Sequence, residues 1–298
     1  MNFNQLELLR LLQETDFNLS KAADRLRIVQ SAASRQLQLI EEELGSPLLE
    51  RHGKKLLGFT PLGERVMSQV EDIDLARRNI HTIAEDYQAN RNGTLHIATT
   101  HTQAKYLLPG PIAKFRAQFP GVRIYMVQSS PGEIIDLLYH HKADIAICTE
   151  KLDESDKLII QPCYQWHHVA VVPRDHPLNE GDITLERLAS FPMLTYSPGY
   201  TGRSKIEQAF ARAGLELDIT LSAADSDVIK TYVRLGLGVG IIAATSYEPE
   251  NDGDLRALDL SHLIPCSTTK VAYLKHLYLP SYLQFFIGEL PTGRRNSH

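Results

Sequence analysis

Cysteine is scarce in this chain of 298 residues: Cys148, Cys163 and Cys266 are widely spaced and form no CxxC pair. An odd, scattered set gives no disulfide framework, and a reducing compartment is the simpler expectation. Long apolar runs are missing as well. The longest strongly apolar stretch, Leu235 to Ala244, contains three glycines and is half of the roughly 20 residues a membrane span needs. The first residues hold no basic patch followed by an apolar stretch, the mark of a secretory signal, so a cytoplasmic protein is expected. Positive charge is not in excess either, with Lys plus Arg at 31, Asp plus Glu at 36 and a formal net charge of -5. A protein that coats nucleic acid by bulk charge would be basic, so any such contact must be local. There is no HExxH, no clustered Cys/His set and no GxSxG, which removes the usual zinc and serine-hydrolase constellations. Gly236, Gly238 and Gly240 follow a helix out of register with a dinucleotide fingerprint, and fit a tight turn with close packing.

What remains is the balance of an ordinary globular protein, 43% hydrophobic and 22% charged. At about 150 residues per domain this length favours two or three units. In the first 60 residues, Phe3, Leu6, Leu9 and Leu12 recur at helical spacing, widened by Leu8 and Leu11. Ser20 reads as the N-cap of a short second helix with Ala22, Ala23 and Leu26. After Ile28-Val29-Gln30, Ser31 reads as the cap of a third, carrying Ala33, Leu37, Ile40 and Leu44 and stopping at Gly45. This is a helix-turn-helix pattern. The segment around His52-Gly53-Lys54-Lys55 reads as a hairpin or wing with a basic turn. From Thr60-Pro61 a long helix is expected, with Leu62, Val66, Val70, Ile73, Ala76, Ile80, Ile83 and Tyr87 along a narrow apolar seam. Such a seam commonly pairs with a second copy.

Beyond Gly93 the pattern alternates. Strands are expected at 95–99, 122–128, 143–149, 157–162 and 168–173, and helices at 111–119, 132–140, 204–214 and 225–235. Alternation of this kind indicates an α/β fold with largely parallel sheets, and about 200 residues suffice for two lobes and a cleft.

The exposed start of the third helix would carry Gln30, Ser34, Arg35 and Gln38. These are the types that major-groove readout uses: a forked guanidinium for guanine, an amide for adenine, hydroxyls for phosphate. Ser31 and the helix N-terminus could offer amides to a phosphate. Residues 1–60 balance at eight basic and eight acidic side chains, but Lys21, Arg25, Arg27 and Arg35 face only Asp24 within 20–35. Glu41-Glu42-Glu43 sits at the far end of the helix, expected to point away from DNA. The stretch AADRLRIVQSAASRQLQLIEEELGSPLLER…FTPLGE resembles the winged helix-turn-helix signature of LysR-type transcriptional regulators, with Leu49 where that family usually has phenylalanine. The resemblance implies that Gln30, Ser34 and Arg35 contact an operator, and that Arg51, with the wing that includes Lys54, touches its backbone. It also implies homodimers or homotetramers that bind double-stranded DNA as an interrupted inverted repeat.

In the C-terminal part, a strand is expected to end at Ala98, with Thr99-Thr100-His101-Thr102-Gln103 leading into a helix. Ligands of α/β sheets bind beyond the carboxyl ends of strands, near helix N-termini. Thr149 and the Thr201-Gly202 turn are two further polar edges of this kind. Together they would bind a small oxyanion by neutral donors, or each threonine simply caps a helix. ATTHTQAKYLLP, CTE…PCYQW, YTGRS and DVIKTYVRLGLGVG resemble the cysteine-regulon activator (CysB/Cbl-like) subgroup of the LysR family. That likeness implies sulfate or a sulfur-pathway effector held by Thr100, Thr102, Gln103, Thr149 and Thr201, with Trp166 and Asp225 as further lining. Ser130-Pro131-Gly132-Glu133 departs from the subgroup's Ser-Pro-Thr-Gln and adds a carboxylate.

The expectation is therefore an α/β protein with a winged helix-turn-helix at 1–60, a linker helix at 61–90 and a two-lobed, periplasmic-binding-protein-like effector domain at 91–298. Lobe I would cover about 91–163 and 267–298, and lobe II about 164–266. No catalytic group, metal or cofactor is expected. The partners would be double-stranded DNA, a second copy and RNA polymerase. Two alternatives are a LysR-type regulator answering an unrelated organic acid, and an α/β enzyme with an N-terminal helix-turn-helix.

Overall fold

A computed structural model describes residues 1–53, 55–87, 92–152 and 155–291 with the backbone of Gly293 and Arg294. The chain divides into two compact units, Met1–His81 and Thr82–His298.

The first unit begins with α1 (Phe3–Glu14), closed by a reciprocal box in which Asn2 and Gln5 each accept the other's backbone N–H. Leu8, Leu9, Leu11 and Leu12 are buried, while Phe3, in the helix's first turn, stays exposed. Helix α2 (Leu19–Arg25) is capped by Asn18, whose side chain accepts from Lys21 N at 3.1 Å. The cap therefore lies two residues before Ser20, which falls inside the helix. Helix α3 (Gln30–Leu44) also starts one residue ahead of the expected Ser31 cap; its N-cap is Val29, which supplies no side-chain bond. At its end Gly45 takes the left-handed conformation at φ 69° that a side chain would resist. Ala22, Ala23 and Ala33 are buried between the helices, where a larger side chain would force them apart.

Strands β1 (Leu49–His52) and β2 (Lys55–Phe59) form an antiparallel hairpin. Helix α4 (Pro61–Tyr87) follows, and Thr60 Oγ1 accepts from Gly63 N at 3.0 Å as its cap. A Cβ on Gly63 would stand 2.1 Å from Leu48 O, so this glycine lets α4 start against the hairpin. The expected seam of α4 splits in two. Val70 packs into the core with Met67, whereas Leu62, Ile73, Ala76, Ile80, Ile83 and Tyr87 are exposed.

Among the described residues the second unit holds two sheets. The first contains β3 (Gly93–Thr99), β4 (Val122–Gln128), β5 (Ile145–Cys148), β6 (Leu158–Trp166), β12 (Ser267–Leu274) and β13 (Gly293–Arg294), in the order β13-β6-β12-β5-β3-β4. The second contains β7 (His168–Pro173), β8 (Met193–Tyr196), β9 (Ile219–Ala223), β10 (Val239–Ala243) and β11 (Leu255–Asp259), in the order β11-β7-β10-β8-β9. The chain crosses between sheets twice, from β6 to β7 and from β11 to β12. The sheets are largely parallel, as expected: one strand in each runs against the rest, β12 antiparallel to β5 and β6, and β7 antiparallel to β10 and β11. A strand arriving from the other lobe enters its sheet from the opposite end.

Helices α5 (His101–Tyr106), α6 (Pro109–Gln118), α7 (Pro131–Tyr139), α8 (Leu185–Ala189), α9 (Arg203–Arg212), α10 (Ser226–Arg234) and α11 (Ser281–Glu289) complete the unit. Phe115 and Phe286 meet edge to face, 5.5 Å apart, in the core of the first lobe. In the second, a Cβ on Gly238 would approach Pro192 O to 2.1 Å and one on Gly240 would strike Val171 and Val233. These glycines serve the turn and the packing.

Candidate functional site

On α3, Gln30, Ser31, Ser34, Arg35 and Gln38 are all exposed, on the side away from buried Ala33, Leu37 and Ile40. Spacings of three and four residues bring them onto one face. Glutamates engage this face. Glu42 accepts from Gln38 Nε2 at 2.7 Å and lies 3.6 Å from Arg35 Nη1. Glu41 accepts from Arg51 Nη2 at 2.6 Å and from the Leu48 amide at 2.9 Å, tying the wing to the helix. Glu41 and Glu42 are thus bonded to candidate DNA-contacting side chains, not turned away from them, because one helical turn carries Gln38 to Glu42, while Glu43 accepts from the Met1 amino group at 2.7 Å. Lys54 lies outside the described residues.

In the second unit, the strand end proposed at Ala98 falls one residue later. Thr99 completes β3 and donates to Ile147 O at 2.7 Å, a purely structural bond. Thr100 is the N-cap of α5 but its hydroxyl makes no capping bond, so the reading of these threonines as mere caps does not describe it. Thr100, Thr102 and Gln103 are at most 3% exposed. Gln103 Oε1 accepts from Tyr164 at 2.8 Å, while Thr102 Oγ1, near the Tyr196 hydroxyl, makes no hydrogen bond of regular geometry. Thr201 is buried with φ 36°, just ahead of Gly202, the N-cap of α9 at φ 74°.

Thr149 is joined to Trp166 through one shared residue. Its Oγ1 lies 3.4 Å from Thr269 Oγ1, which also accepts from Trp166 Nε1 at 3.1 Å. Trp166 is embedded in the first lobe's core, its ring edge-on to His168 at 5.0 Å. Asp225 caps α10, accepting from Val228 N at 3.0 Å. Glu133, the extra carboxylate, caps its own helix by accepting from Ser130 N at 3.2 Å. His140, next to His141, is exposed, but His168, next to His167, is fully buried beside the β6–β7 crossing.

A charged cluster that no sequence motif announced ties α5 to α10. Asp227 accepts from Lys105 Nζ and Tyr106 Oη, both at 2.7 Å, with His101 Nε2 at 3.3 Å. Buried Lys230 donates to Tyr106 Oη at 3.2 Å and to Asp252 at 2.8 Å. Burial opposes the charge on Asp227, but the bonds from Lys105, Tyr106 and His101, with Lys230 nearby, outweigh it and hold the carboxyl well below its usual range. The i,i+3 pair Asp227/Lys230 was the one signal available in the sequence. His101, Asp225 and Asp227 place ligand atoms within 4.8 Å of one another. Both carboxylates are already engaged, however, and the Lys105 ammonium supplies the positive charge a metal would bring.

A winged helix-turn-helix followed by two α/β lobes defines a ligand-responsive DNA-binding regulator. The sequence matches the family model "Bacterial regulatory helix-turn-helix protein, lysR family" over residues 3–64 and "LysR substrate binding domain" over residues 88–293. The chain belongs to the LysR family and is a transcriptional regulator, not an enzyme. It falls in the CysB/Cbl-like subgroup. It is 43% identical to the HTH-type transcriptional regulator CysB of Burkholderia cenocepacia over 297 residues, 99% of this chain and 95% of that protein. To the HTH-type transcriptional regulator cbl of Escherichia coli (strain K12) it is 45% identical over 294 residues, 98% of this chain and 93% of that one. The crystal structure of the cofactor-binding domain of the Cbl transcriptional regulator is 45% identical, covers 68% of this chain and 89% of that chain, and superposes with a TM-score of 0.66. Among the described residues no helix is long and apolar enough to cross a membrane.

Proposed function

We propose that this regulator controls genes of sulfur assimilation and cysteine biosynthesis, chiefly as an activator, in response to a small effector bound between the two lobes. The effector is sulfate or a sulfur-pathway metabolite such as thiosulfate, O-acetylserine or N-acetylserine. Thr100, Thr102, Gln103, Thr149 and Thr201 contact it, with Trp166 and Asp225 behind them. The observation that carries this reading is Thr102 Oγ1, a buried hydroxyl at a helix start without a regular partner. A buried polar group is normally paired, and a ligand is the partner that would complete this one. Neutral donors can hold an oxyanion without a counter-charge.

Gln30, Ser31, Ser34, Arg35 and Gln38 read the operator, and Arg51 and Lys54 hold its backbone. The exposed apolar side of α4, from Leu62 to Tyr87, supports pairing with a second copy. A two-fold dimer then needs two half-sites in an inverted repeat, and a homotetramer pairs two such dimers. The regulator works in the cytoplasm and contacts RNA polymerase at the promoter. Effector binding favours one setting of the lobes over another, which requires unequal affinity for the two.

The test is a thermal-melt panel in buffer free of sulfate and phosphate. It compares sulfate, thiosulfate, O-acetylserine, N-acetylserine and unrelated organic acids on the wild type and on Thr102→Val. A ligand at a hundred times its Kd stabilises the folded state by about 2.7 kcal/mol. A shift with a sulfur compound that vanishes in the variant is expected. Shifts with unrelated acids alone would remove the sulfur assignment.

A further inference from the structure

Glu150 follows Thr149 just beyond the end of β5, and its carboxylate reaches across to the other lobe. Oε1 accepts from the N–H of Gly202, the N-cap of α9, one residue after Thr201. The second oxygen, Oε2, is buried and makes no hydrogen bond of regular geometry. The surroundings of Gly202 hold more polar atoms in the same condition. A Cβ there would stand 2.7 Å from His168 Nε2 and 3.0 Å from Ser267 Oγ. Both residues are fully buried, and neither ring nitrogen of His168 nor the Ser267 hydroxyl makes a hydrogen bond of regular geometry. An acceptor and further hydrogen-bonding atoms without regular partners thus gather around Gly202, where Glu150 reaches α9. Oxygen and nitrogen atoms buried without partners are uncommon in folded proteins, and several together call for a ligand or water.

We propose that Glu150 sets the class of effector, its carboxylate acting as a built-in acceptor that favours a ligand carrying an N–H or O–H donor beside its anionic group over a bare oxyanion. The proposal rests on the cleft reading given above. A ligand with an amide or hydroxyl satisfies the empty acceptor directly. Sulfate has no proton to give and meets a like charge in a poorly hydrated place. It binds once a proton from solvent has moved onto Glu150, so its binding takes up one proton. Burial already pushes the Glu150 carboxyl upward, against the Gly202 and Thr201 amides and the Lys205 charge. Lys205, on α9, is the cation facing it, and its Nζ also donates to Cys266 O. His168, on β7, stays neutral at physiological pH because burial drives its imidazolium down to about 3.

The test is titration calorimetry on the full-length protein between pH 6 and 8, in two buffers of different ionisation enthalpy. Sulfate and N-acetylserine are the probes, on the wild type, Glu150→Gln and Thr102→Val. Sulfate affinity of the wild type should fall about tenfold per pH unit with uptake of one proton, while N-acetylserine changes less than about twofold. In Glu150→Gln, sulfate should lose its pH dependence and bind at least about tenfold tighter than to the wild type at pH 8, while N-acetylserine weakens. The wild-type proton count stands even if the variant folds poorly. Sulfate binding without proton uptake, or isotherms that Glu150→Gln leaves alone while Thr102→Val abolishes them, would overturn the role of Glu150 and spare the cleft reading. Isotherms indifferent to Thr102→Val, or no binding of either probe, would overturn both.

Discussion

Gln30, Ser31, Ser34, Arg35 and Gln38 stand exposed on α3, whereas Thr100, Thr102, Gln103 and Thr201 of the second unit are each at most 3% exposed. Exposed polar groups are satisfied by water, so an exposed side chain can rest against Glu41 or Glu42 and change partner at small cost. Buried groups have no such reserve: each must be paired within the protein or kept for a ligand. Thr99 shows the first outcome, spent on Ile147 O, whereas Thr102 Oγ1 has no regular partner and is, under the proposed function, the second. On that proposal, function in the first unit is a matter of which side chains are displayed, and in the second of which are left unsatisfied.

The sharpest way to separate the units is to overfill one at a time. Gly63→Ala would put a methyl 2.1 Å from Leu48 O, and Gly238→Ala one 2.1 Å from Pro192 O at φ +150°. Each should destabilise its own unit by about 3 kcal/mol or more, since backbone cannot yield as a side-chain tip can. Hydrogen exchange read by mass spectrometry should lose protection in residues 1–81 for the first variant and in residues 82–298 for the second. Equal loss in both units from either variant would show that they unfold as one.

Arg35→Ala comes next. Removing a forked donor from a base edge costs about 1–3 kcal/mol of specific binding, roughly ten- to a hundredfold. Fluorescence anisotropy should show much less loss on unrelated DNA, and equal losses would mean that Arg35 touches only phosphate. Asp227→Asn should cost the second unit about 1 kcal/mol at pH 7, after solvent screening of a side chain one-third exposed. The sign follows from a carboxyl depressed in the folded state. Its contribution is complete above the unfolded value of about 3.9 and is lost as pH falls through the folded one. The stability gap between wild type and variant, from denaturant melts, should hold above about pH 5 and shrink below pH 4. A gap that widens in acid would contradict the cluster.

How much could be read in advance follows the same division. The winged unit is built from neighbours in sequence. Ala22/Ala23, the α3 stripe and Gly45 report their own packing, and readers four residues apart must share a face. What slipped was local competition: Asn18 and Ser20 are both good caps, and only the turn before α2 selects Asn18. In the second unit the α/β class and most early elements were legible from alternation, but β8 to β12 and α11 were not, being short or buried on both faces. The contacts that shape its cleft are further still from view. His101, Lys105 and Tyr106 lie more than 120 residues from Asp227, and Glu150 lies 52 from Gly202. Trp166 reads as a lining residue by its motif, yet its indole N–H is committed to Thr269 and its ring to the core. No periodicity reports such choices.

The smallest expected effect probes the surface side of the contrast most directly. Glu42 holds Gln38 at 2.7 Å and stands 3.6 Å from Arg35, all three exposed. Exposed pairs of this kind are worth less than about 1 kcal/mol, so binding DNA need only outbid a weak intramolecular partner. Glu42→Gln removes one negative charge beside the reading face while keeping an amide for Gln38. DNA binding should tighten about two- to threefold, equally on operator and unrelated sequence, because the lost term is charge repulsion rather than base readout. The gain should fade as salt rises through physiological strength, where charges more than about 8 Å apart are screened. Anisotropy titrations at two salt concentrations measure both. A tenfold gain confined to the operator would mean that Glu42 masks the readers in the free protein, and that the surface unit, like the buried one, keeps its donors in reserve.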